Sequence, residues 1–170
     1  ASPQTEIWVE DDYKGSGHAE VKLEFGSYKV ETRRQSHQST SQLLQINGPI
    51  AQTIILKEPI PMYGSSSVET EPFGARVFID DIFSGVTPVL LNGILIGEHD
   101  IRFEKDGYAH KTQSINIEHN KTTLCHENLS KEACISFDAN GGNGNMSPFI
   151  VSVGEEKRLP ANRFSKENFS

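Results

Sequence analysis

The sequence predicts an all-β protein, and three observations support this prediction. Apolar and polar residues alternate with a period of two along much of the chain, as in the stretches 19–25 and 28–32, which is the pattern of strands with one buried face. No window of a dozen residues carries a comparable apolar stripe at helical spacing. The 14 glycines and 8 prolines interrupt most candidate helices. With 170 residues, the chain has room for one or two small domains.

The predicted strands follow one another from end to end of the chain. A hairpin is expected in which a strand from Ala19 to Phe25 meets a strand from Tyr28 to Thr32 across a turn at Gly26-Ser27. Further on, an apolar strand from Thr53 to Leu56 precedes a proline-rich segment, 58–61, that we expect to be a stiff extended connector. Other strands are predicted around Ile7 and Val9, Val77 and Ile79, His99 to Phe103, Ile115 and Ile117, and Phe149 to Val153.

The charge and hydropathy of the chain argue against a nucleic acid partner and against a membrane-spanning segment. The chain has 16 basic and 23 acidic residues, a formal net charge of −7 and an isoelectric point near 5.3. Binding to a phosphate backbone requires a basic surface, so we expect no nucleic acid partner. The longest apolar runs, 54–56 and 89–91, are far shorter than the ~20 residues that span a bilayer, so no membrane-spanning segment is predicted. Because Ala1 follows no methionine or apolar leader, we expect any export signal to have been removed.

The chain contains an internal repeat. Residues 6–15 align with 76–85 at an offset of 70, so that a strand, paired acids, an aromatic and a glycine coincide. Residues 25–30 align with 96–101 at an offset of 71, which indicates one inserted residue. We therefore predict two tandem copies of one β unit, each of about 70 residues, with a boundary near Tyr63.

The second copy carries the motifs of a known family. Its segments 73–80, 85–91 and 97–108 read FGARVFID, GVTPVLL and GEHDIRFEKDGY. This order of a Gly-Ala strand ending in Asp, a Gly-x-Thr-Pro turn, a Gly-x-His strand and a Lys-x-Gly-Tyr corner resembles the PEGA domain. The resemblance implies a small β-sandwich of prealbumin type, common in bacterial and archaeal cell-surface proteins and not known as a catalytic fold.

The turns of this copy have a physical explanation of their own. Gly85 and Gly97 stand where the chain needs a positive φ or a close backbone approach. Gly107 and Tyr108 turn the chain so that an aromatic side chain covers the open end of the sandwich. The first copy lacks the Thr-Pro and Gly-Tyr parts, and its first strand would have to precede Ala1 or be missing. We therefore expect a divergent PEGA-like unit there.

The tail shows a second resemblance. Residues 134–142 read CISFDANGG, and Gly154-Glu155 and Leu159-Pro160 follow. This order is similar to the start of a Listeria–Bacteroides repeat, which occurs on bacterial surface proteins, and together with PEGA units it implies a Bacteroidetes-like envelope protein. The predicted domains are a divergent PEGA-like β unit with a linker strand at 1–62, a PEGA domain at 63–130 and a partial Listeria–Bacteroides repeat at 131–170.

The two cysteines are the first candidates for chemistry. Cys125 and Cys134 are out of phase with their apolar neighbours, so we expect both to face outward, where they could meet across a hairpin. A disulfide would persist in an exported protein, and two free thiols are the alternative. A metal site that also uses His119 and His126 lacks the short paired spacing of structural zinc, so no metal site is predicted.

Trp8 is the other candidate site residue. It lies on the strand face opposite Ile7 and Val9, where it either packs within a second layer or forms an exposed platform that stacks on a sugar ring. The acid pairs at 11–12 and 80–81 are adjacent in sequence, so on a strand they would point to opposite faces and could not flank one bond in acid–base catalysis. They stand at matching turn positions in the two copies, which favours a role in the hairpin turns.

Taken together, these patterns predict no catalytic residue and no cofactor. The expected function is that of a non-catalytic cell-envelope module, a spacer or adhesion unit of a larger surface protein. The alternative is a module that binds a cell-surface glycan or protein. We expect the chain at the extracellular surface or in the periplasm, and its lipid anchoring and oligomeric state are left open.

Overall fold

A computed structural model describes residues 2–154 and 156–166 of the chain. All regular structure in these ranges is β, so the all-β prediction is confirmed. Ala1, Glu155 of the predicted Gly-Glu turn, and the last four residues of the third predicted domain lie outside the described residues. Within the described part of the chain no helix could cross a membrane.

Fifteen strands are formed by the described residues. The first six are β1 (Glu6–Val9), β2 (Asp12–Ser16), β3 (Gly26–Arg33), β4 (His37–Gln38), β5 (Thr40–Ile46) and β6 (Ile60–Pro61). The next seven are β7 (Tyr63–Glu71), β8 (Arg76–Ile79), β9 (Ile82–Val86), β10 (Val89–Leu95), β11 (Gly97–Glu104), β12 (Lys111–Ile117) and β13 (Thr122–Asn128). The last two are β14 (Glu132–Ile135) and β15 (Phe149–Ser152).

These strands form several small sheets. The first four-stranded sheet has the order β2-β1-β3-β5, and the second has the order β12-β11-β8-β9. A three-stranded sheet has the order β10-β7-β13, and two-stranded sheets pair β4 with β6 and β14 with β15. Read from the opposite edge, the second four-stranded sheet repeats the strand order of the first, since β9, β8, β11 and β12 take the places of β2, β1, β3 and β5.

The chain divides into two compact units. The first consists of Ala1–Ser65, Asn92–Gly97 and Asn116–Thr123, and the second of Ser66–Leu91, Glu98–Ile115 and Leu124–Ser170. The boundaries expected after residues 62 and 130 remain a prediction.

The core of the first unit lies on one face of its four-stranded sheet. Ile7 and Val9 of β1 and Val30 of β3 are buried there, because alternate residues of a strand point to the same face. Five partly buried side chains pack against this core: Ala19, Leu23, Tyr28, Leu44 and Leu56.

The core of the second unit draws on strands of two sheets, as in a β-sandwich. Val77 on β8 and Ile101 and Phe103 on β11 are fully buried, and so is Val68 on β7. The buried hydroxyl of Thr87 accepts a hydrogen bond from the Ala75 amide at 3.0 Å. Polar atoms in this core are therefore satisfied where the chain enters β10.

Two strand predictions for the first unit are wrong. Residues 19–25 and 53–56 form no regular structure, and Gly26-Ser27 opens β3 instead of forming a hairpin turn. Alternation alone does not make a strand, because its backbone amides and carbonyls also need a neighbouring strand to bond with. In the described part of the first unit no strand lies beside either segment.

Candidate functional site

The first hairpins of the two four-stranded sheets, β1–β2 and β8–β9, have the same residue pairing and the same bulge position. In the first, Trp8 pairs with Tyr13 and a bulge lies between Ile7 and Trp8. In the second, Phe78 pairs with Phe83 and the bulge lies between Val77 and Phe78. The paired residues and the bulge thus recur at the offset of 70 residues.

The turns of these hairpins are equally alike. Glu10 and Asp11 have φ values of +48° and +64°, and Asp80 and Asp81 have φ values of +48° and +65°. Positive φ at both central residues is the mark of a two-residue type I′ turn, whose twist matches that of the strands it joins. Aspartate tolerates this left-handed conformation better than most residues.

Each hairpin carries an aromatic pair on the outer face of its sheet. The Trp8 and Tyr13 ring centroids lie 5.5 Å apart with their planes at 62°. The Phe78 and Phe83 centroids lie 5.6 Å apart with their planes at 67°. Both are edge-to-face arrangements, the favoured geometry for aromatic pairs.

An arginine completes the first aromatic pair, and we call Arg33, Trp8 and Tyr13 the first stack. The Arg33 guanidinium lies 4.4 Å from the Trp8 ring centroid, within the range of a cation–π contact. Its Nη2 donates to the Asp11 carboxylate at 3.0 Å, and its Nε donates to Glu31 at 3.0 Å. Trp8 is half-buried, and this guanidinium covers one face of its ring.

The second stack consists of Arg102, Phe78 and Phe83. It has the same geometry, but its arginine and glutamate stand in the opposite order along the strand. The Arg102 guanidinium lies 4.2 Å from the Phe78 centroid, and its Nη2 donates to Asp81 at 3.3 Å. Arg102 also pairs with Glu104, so the acid follows the arginine here, whereas Glu31 precedes Arg33 in the first stack. In both stacks the arginine therefore donates a hydrogen bond to the second acid of the hairpin turn, Asp11 or Asp81.

The pKa values of Glu31, Arg33 and Asp80 are shifted by their surroundings. Hydrogen bonds from Arg33 and Lys29 lower the pKa of Glu31 to about 2, and the contact with Glu31 raises the pKa of Arg33. Although burial acts in the opposite direction, hydrogen bonds from His99 and the Asp100 amide lower the pKa of Asp80. Glu31 and Asp80 are thus charged at neutral pH.

A polar groove of about 580 Å³ opens beside the first stack. Arg34 donates to the Gln4 side chain at 2.7 Å, and Glu6 accepts a hydrogen bond from the Trp8 indole at 3.0 Å. The lining residues, all within the first unit, are Gln4, Glu6, Arg33, Arg34, Gln35, Ser36, His37 and Leu95. Guanidinium, amide, carboxylate and hydroxyl groups thus line the groove, which offers both donors and acceptors to a polar ligand.

The cysteines differ from the expectation that both face outward. Cys125 is buried on β13, and its Sγ accepts a hydrogen bond from Gln113 at 3.0 Å, whereas Cys134 is exposed. Burial raises the pKa of the Cys125 thiol. The predicted phase is wrong because Leu124, the apolar neighbour of Cys125, is itself exposed. Both are free thiols in this structure, and the disulfide stays a prediction.

Of the predicted turn residues, Gly107 lies in a turn, whereas Gly85 lies within β9 and Gly97 opens β11. Gly85 has a φ of +154°, and a Cβ there would come within 3.1 Å of Val89 Cγ2. Gly97 and Gly107 also have positive φ, at +125° and +79°. The Tyr108 amide donates to the Lys105 carbonyl at 3.0 Å, which closes the turn around Gly107. Among the described residues, no group of three or more His, Cys, Asp or Glu side chains could hold a metal ion.

The sheets and their hairpins define a small all-β module of sandwich type. Residues 63–133 match the PEGA domain family, so the chain contains a PEGA domain over that range. PEGA domains are typically extracellular or periplasmic and are generally non-catalytic modules. No curated protein and no solved structure gives a significant match to the chain.

Proposed function

We propose that this chain is a cell-envelope module that acts as a spacer or adhesion unit of a larger surface protein and catalyses no reaction. The observation that supports it best is the recurrence of one four-stranded sheet, with the same strand order, hairpin turn and aromatic–arginine stack. This recurrence favours two tandem PEGA-like copies, the first divergent. Repeating a small β unit extends a surface protein without requiring a reaction centre.

The tail fits the same proposal. β14 and β15 pair in an antiparallel hairpin, with Ile135 opposite Phe149. We take residues 131–170 to be part of a Listeria–Bacteroides repeat, and the whole chain to be a piece of a Bacteroidetes-like surface protein. Three β modules in succession would then separate a functional domain from the cell surface.

The polar groove supports a second candidate, the binding of a cell-surface glycan or protein. Sugar hydroxyls are recognised by planar polar side chains that donate and accept hydrogen bonds, next to an aromatic ring. The groove supplies the polar side chains, Arg34 and Gln4. The aromatic ring is that of Trp8 in the first stack. In this candidate the first unit binds and the PEGA domain presents it.

Binding assays separate the two candidates. The full chain is tested on a glycan array and in pull-downs from envelope extracts, alongside Arg34→Ala and Trp8→Ala. Phe78→Ala is the matched control, because it breaks the second stack and leaves the groove intact. A spacer shows no saturable binding in any variant.

Saturable binding that Arg34→Ala and Trp8→Ala abolish, and that Phe78→Ala retains, would support the binding module and contradict a pure spacer. Hydrolysis of a surface polymer by the purified chain would contradict both candidates.

A further inference from the structure

We propose that the groove beside the first stack binds a sugar that carries a carboxylate, such as a uronic acid residue of a surface polysaccharide. Arg34 binds the carboxylate, and neighbouring side chains of the groove bind the hydroxyl groups of the ring. This inference rests on the binding candidate proposed above and names the class of glycan that the groove takes.

The turn between β3 and β4, residues 34–37, forms part of the groove lining and is held by backbone hydrogen bonds. The His37 amide donates to the Arg34 carbonyl at 3.1 Å, which closes the turn. The Met62 amide donates to the Ser36 carbonyl at 3.1 Å, and β4 pairs with β6. These bonds fix the turn before a ligand arrives, so binding loses little conformational entropy.

The PEGA domain forms the same turn at residues 105–108, the counterparts of 34–37 at the offset of 71. There the Tyr108 amide donates to the Lys105 carbonyl at 3.0 Å. The side chains differ: residues 105–108 read KDGY, in which the charges of lysine and aspartate cancel, whereas residues 34–37 read RQSH, which carry one positive charge when histidine is neutral. The turn therefore belongs to the fold, whereas its net positive charge is particular to the first copy and favours an anionic ligand.

Arg34 is the cation of the groove that is open to such a ligand. Its Nη2 donates to the Gln4 side-chain oxygen at 2.7 Å, and no acid among the described residues forms an ion pair with it. Arg33, the other guanidinium of the groove, is bound to Asp11 and Glu31. A guanidinium has five N–H donors in a planar fork that matches the two oxygens of a carboxylate. Arg34 can therefore bind a carboxylate through the donors that Gln4 leaves open.

Ser36 indicates that this turn serves a ligand as well as the fold. It has a φ of +62°, which glycine adopts without strain and serine does not, and its counterpart Gly107 has a φ of +79°. Strained residues of this kind cluster at binding sites. Ser36 lines the groove, and no hydrogen bond joins its hydroxyl group to another described residue. A hydroxyl group is therefore held at a strained position from which it can bond with a ligand.

The rest of the lining favours a sugar over an acidic peptide. Amide, imidazole and carboxylate groups lie close together there, on Gln4, Gln35, His37 and Glu6. They supply donors and acceptors to neighbouring hydroxyl groups of one ring. Among the described lining residues Leu95 alone is apolar, whereas peptides are usually anchored by aromatic side chains in well-packed pockets. The groove volume of about 580 Å³ lies within the range of roughly 300–1,000 Å³ of small-molecule sites.

The test measures binding of the full chain to short acidic oligosaccharides by titration calorimetry. The probes are oligomers of galacturonic acid, mannuronic acid and N-acetylneuraminic acid. Each is compared with its methyl ester, which keeps the rings and removes the charge. We expect at least one acid to bind saturably and its ester to bind at least tenfold more weakly. The affinity for the acid should also fall with added salt.

Three variants locate the contacts. Arg34→Gln should weaken binding of the acid at least tenfold and leave that of the ester unchanged. Ser36→Gly should weaken binding of both about fivefold, while its urea midpoint equals or exceeds that of the unchanged protein because glycine relieves the positive φ. Lys105→Gln, the counterpart of Arg34 in the PEGA domain, is the matched control and should alter neither affinity.

Equal affinity for an acid and its ester, or equal effects of Arg34→Gln and Lys105→Gln, would overturn the carboxylate contact and leave the binding of a neutral glycan standing. Binding to none of the acids would overturn this inference, and the glycan array and pull-downs decide separately whether the binding candidate also falls. Equally tight binding of a polyglutamate peptide would assign the groove to an acidic protein and overturn the proposed sugar.

Discussion

Gly64→Ala is expected to lower the free energy of unfolding by about 3 kcal/mol, because the added methyl group has no space. A Cβ at this position would lie 2.3 Å from the Glu118 carbonyl oxygen and 2.8 Å from Ile117 Cγ2. The neighbouring backbone cannot easily move away, since the Ser65 amide donates to the Lys121 carbonyl at 2.9 Å and the Asn120 amide donates to the Tyr63 carbonyl at 3.0 Å.

Urea unfolding followed by far-UV circular dichroism measures this effect. Gly48→Ala is the matched control, because a Cβ there would meet nothing within 4 Å. We expect it to change the unfolding free energy by less than about 0.5 kcal/mol. Equal midpoints for Gly64→Ala and the unchanged protein would show that β7 does not approach the turn between β12 and β13 as described.

Phe103→Ala is the second large expected effect, a loss of about 3–5 kcal/mol. Phe103 lies on β11 opposite Val77 and is fully buried, so truncation removes its packing and leaves a cavity. The measurement is the shift of the urea midpoint at constant slope, which reports stability rather than a change of compactness.

Phe73→Ala provides the matched control for this change. Phe73 belongs to the same unit and loses the same atoms, but it is 59% exposed. Its truncation should cost far less, since little of the ring is withdrawn from water on folding. A Phe73→Ala penalty as large as that of Phe103→Ala would contradict the described core.

Much of the repeated hairpin could be predicted from sequence because it depends on neighbours along the chain. The acid pair at 80–81 forms a turn as predicted, whereas the first turn uses Glu10 and Asp11 instead of the predicted pair 11–12. The aromatic that follows each turn and the glycine one residue before the end of the second strand recur at one offset. Local alternation also sets which face is buried, so Val77 and Ile79 were correctly placed together on one side.

The features that the sequence does not predict depend on contacts between residues that are far apart along the chain. Residues 19–25 alternate as well as any strand, yet they are irregular, since no strand of the described first unit lies beside them. The Arg33 contact with Trp8 required β1 to pair with β3, which no local pattern shows. Cys125 is buried, contrary to the prediction, because the exposed Leu124 suggests the wrong phase for β13.

The two stacks differ in the order of their charged residues. Glu31 stands opposite Trp8 in the first sheet, and Arg102 stands opposite Phe78 in the second. The guanidinium nevertheless covers the aromatic ring in both, because Arg33 reaches back from two positions away. The arrangement of an arginine on an aromatic is thus kept while the order of the charges is reversed.

The most direct test of the repeated-module account is a nuclear Overhauser measurement on the isotope-labelled chain. The account predicts cross-peaks from the Trp8 ring to Tyr13 and to the Arg33 side chain, and matching cross-peaks from Phe78 to Phe83 and to Arg102. Both arginine side chains should also show upfield shifts from the rings beneath them. The second set of cross-peaks without the first would contradict the claim that one sheet occurs twice.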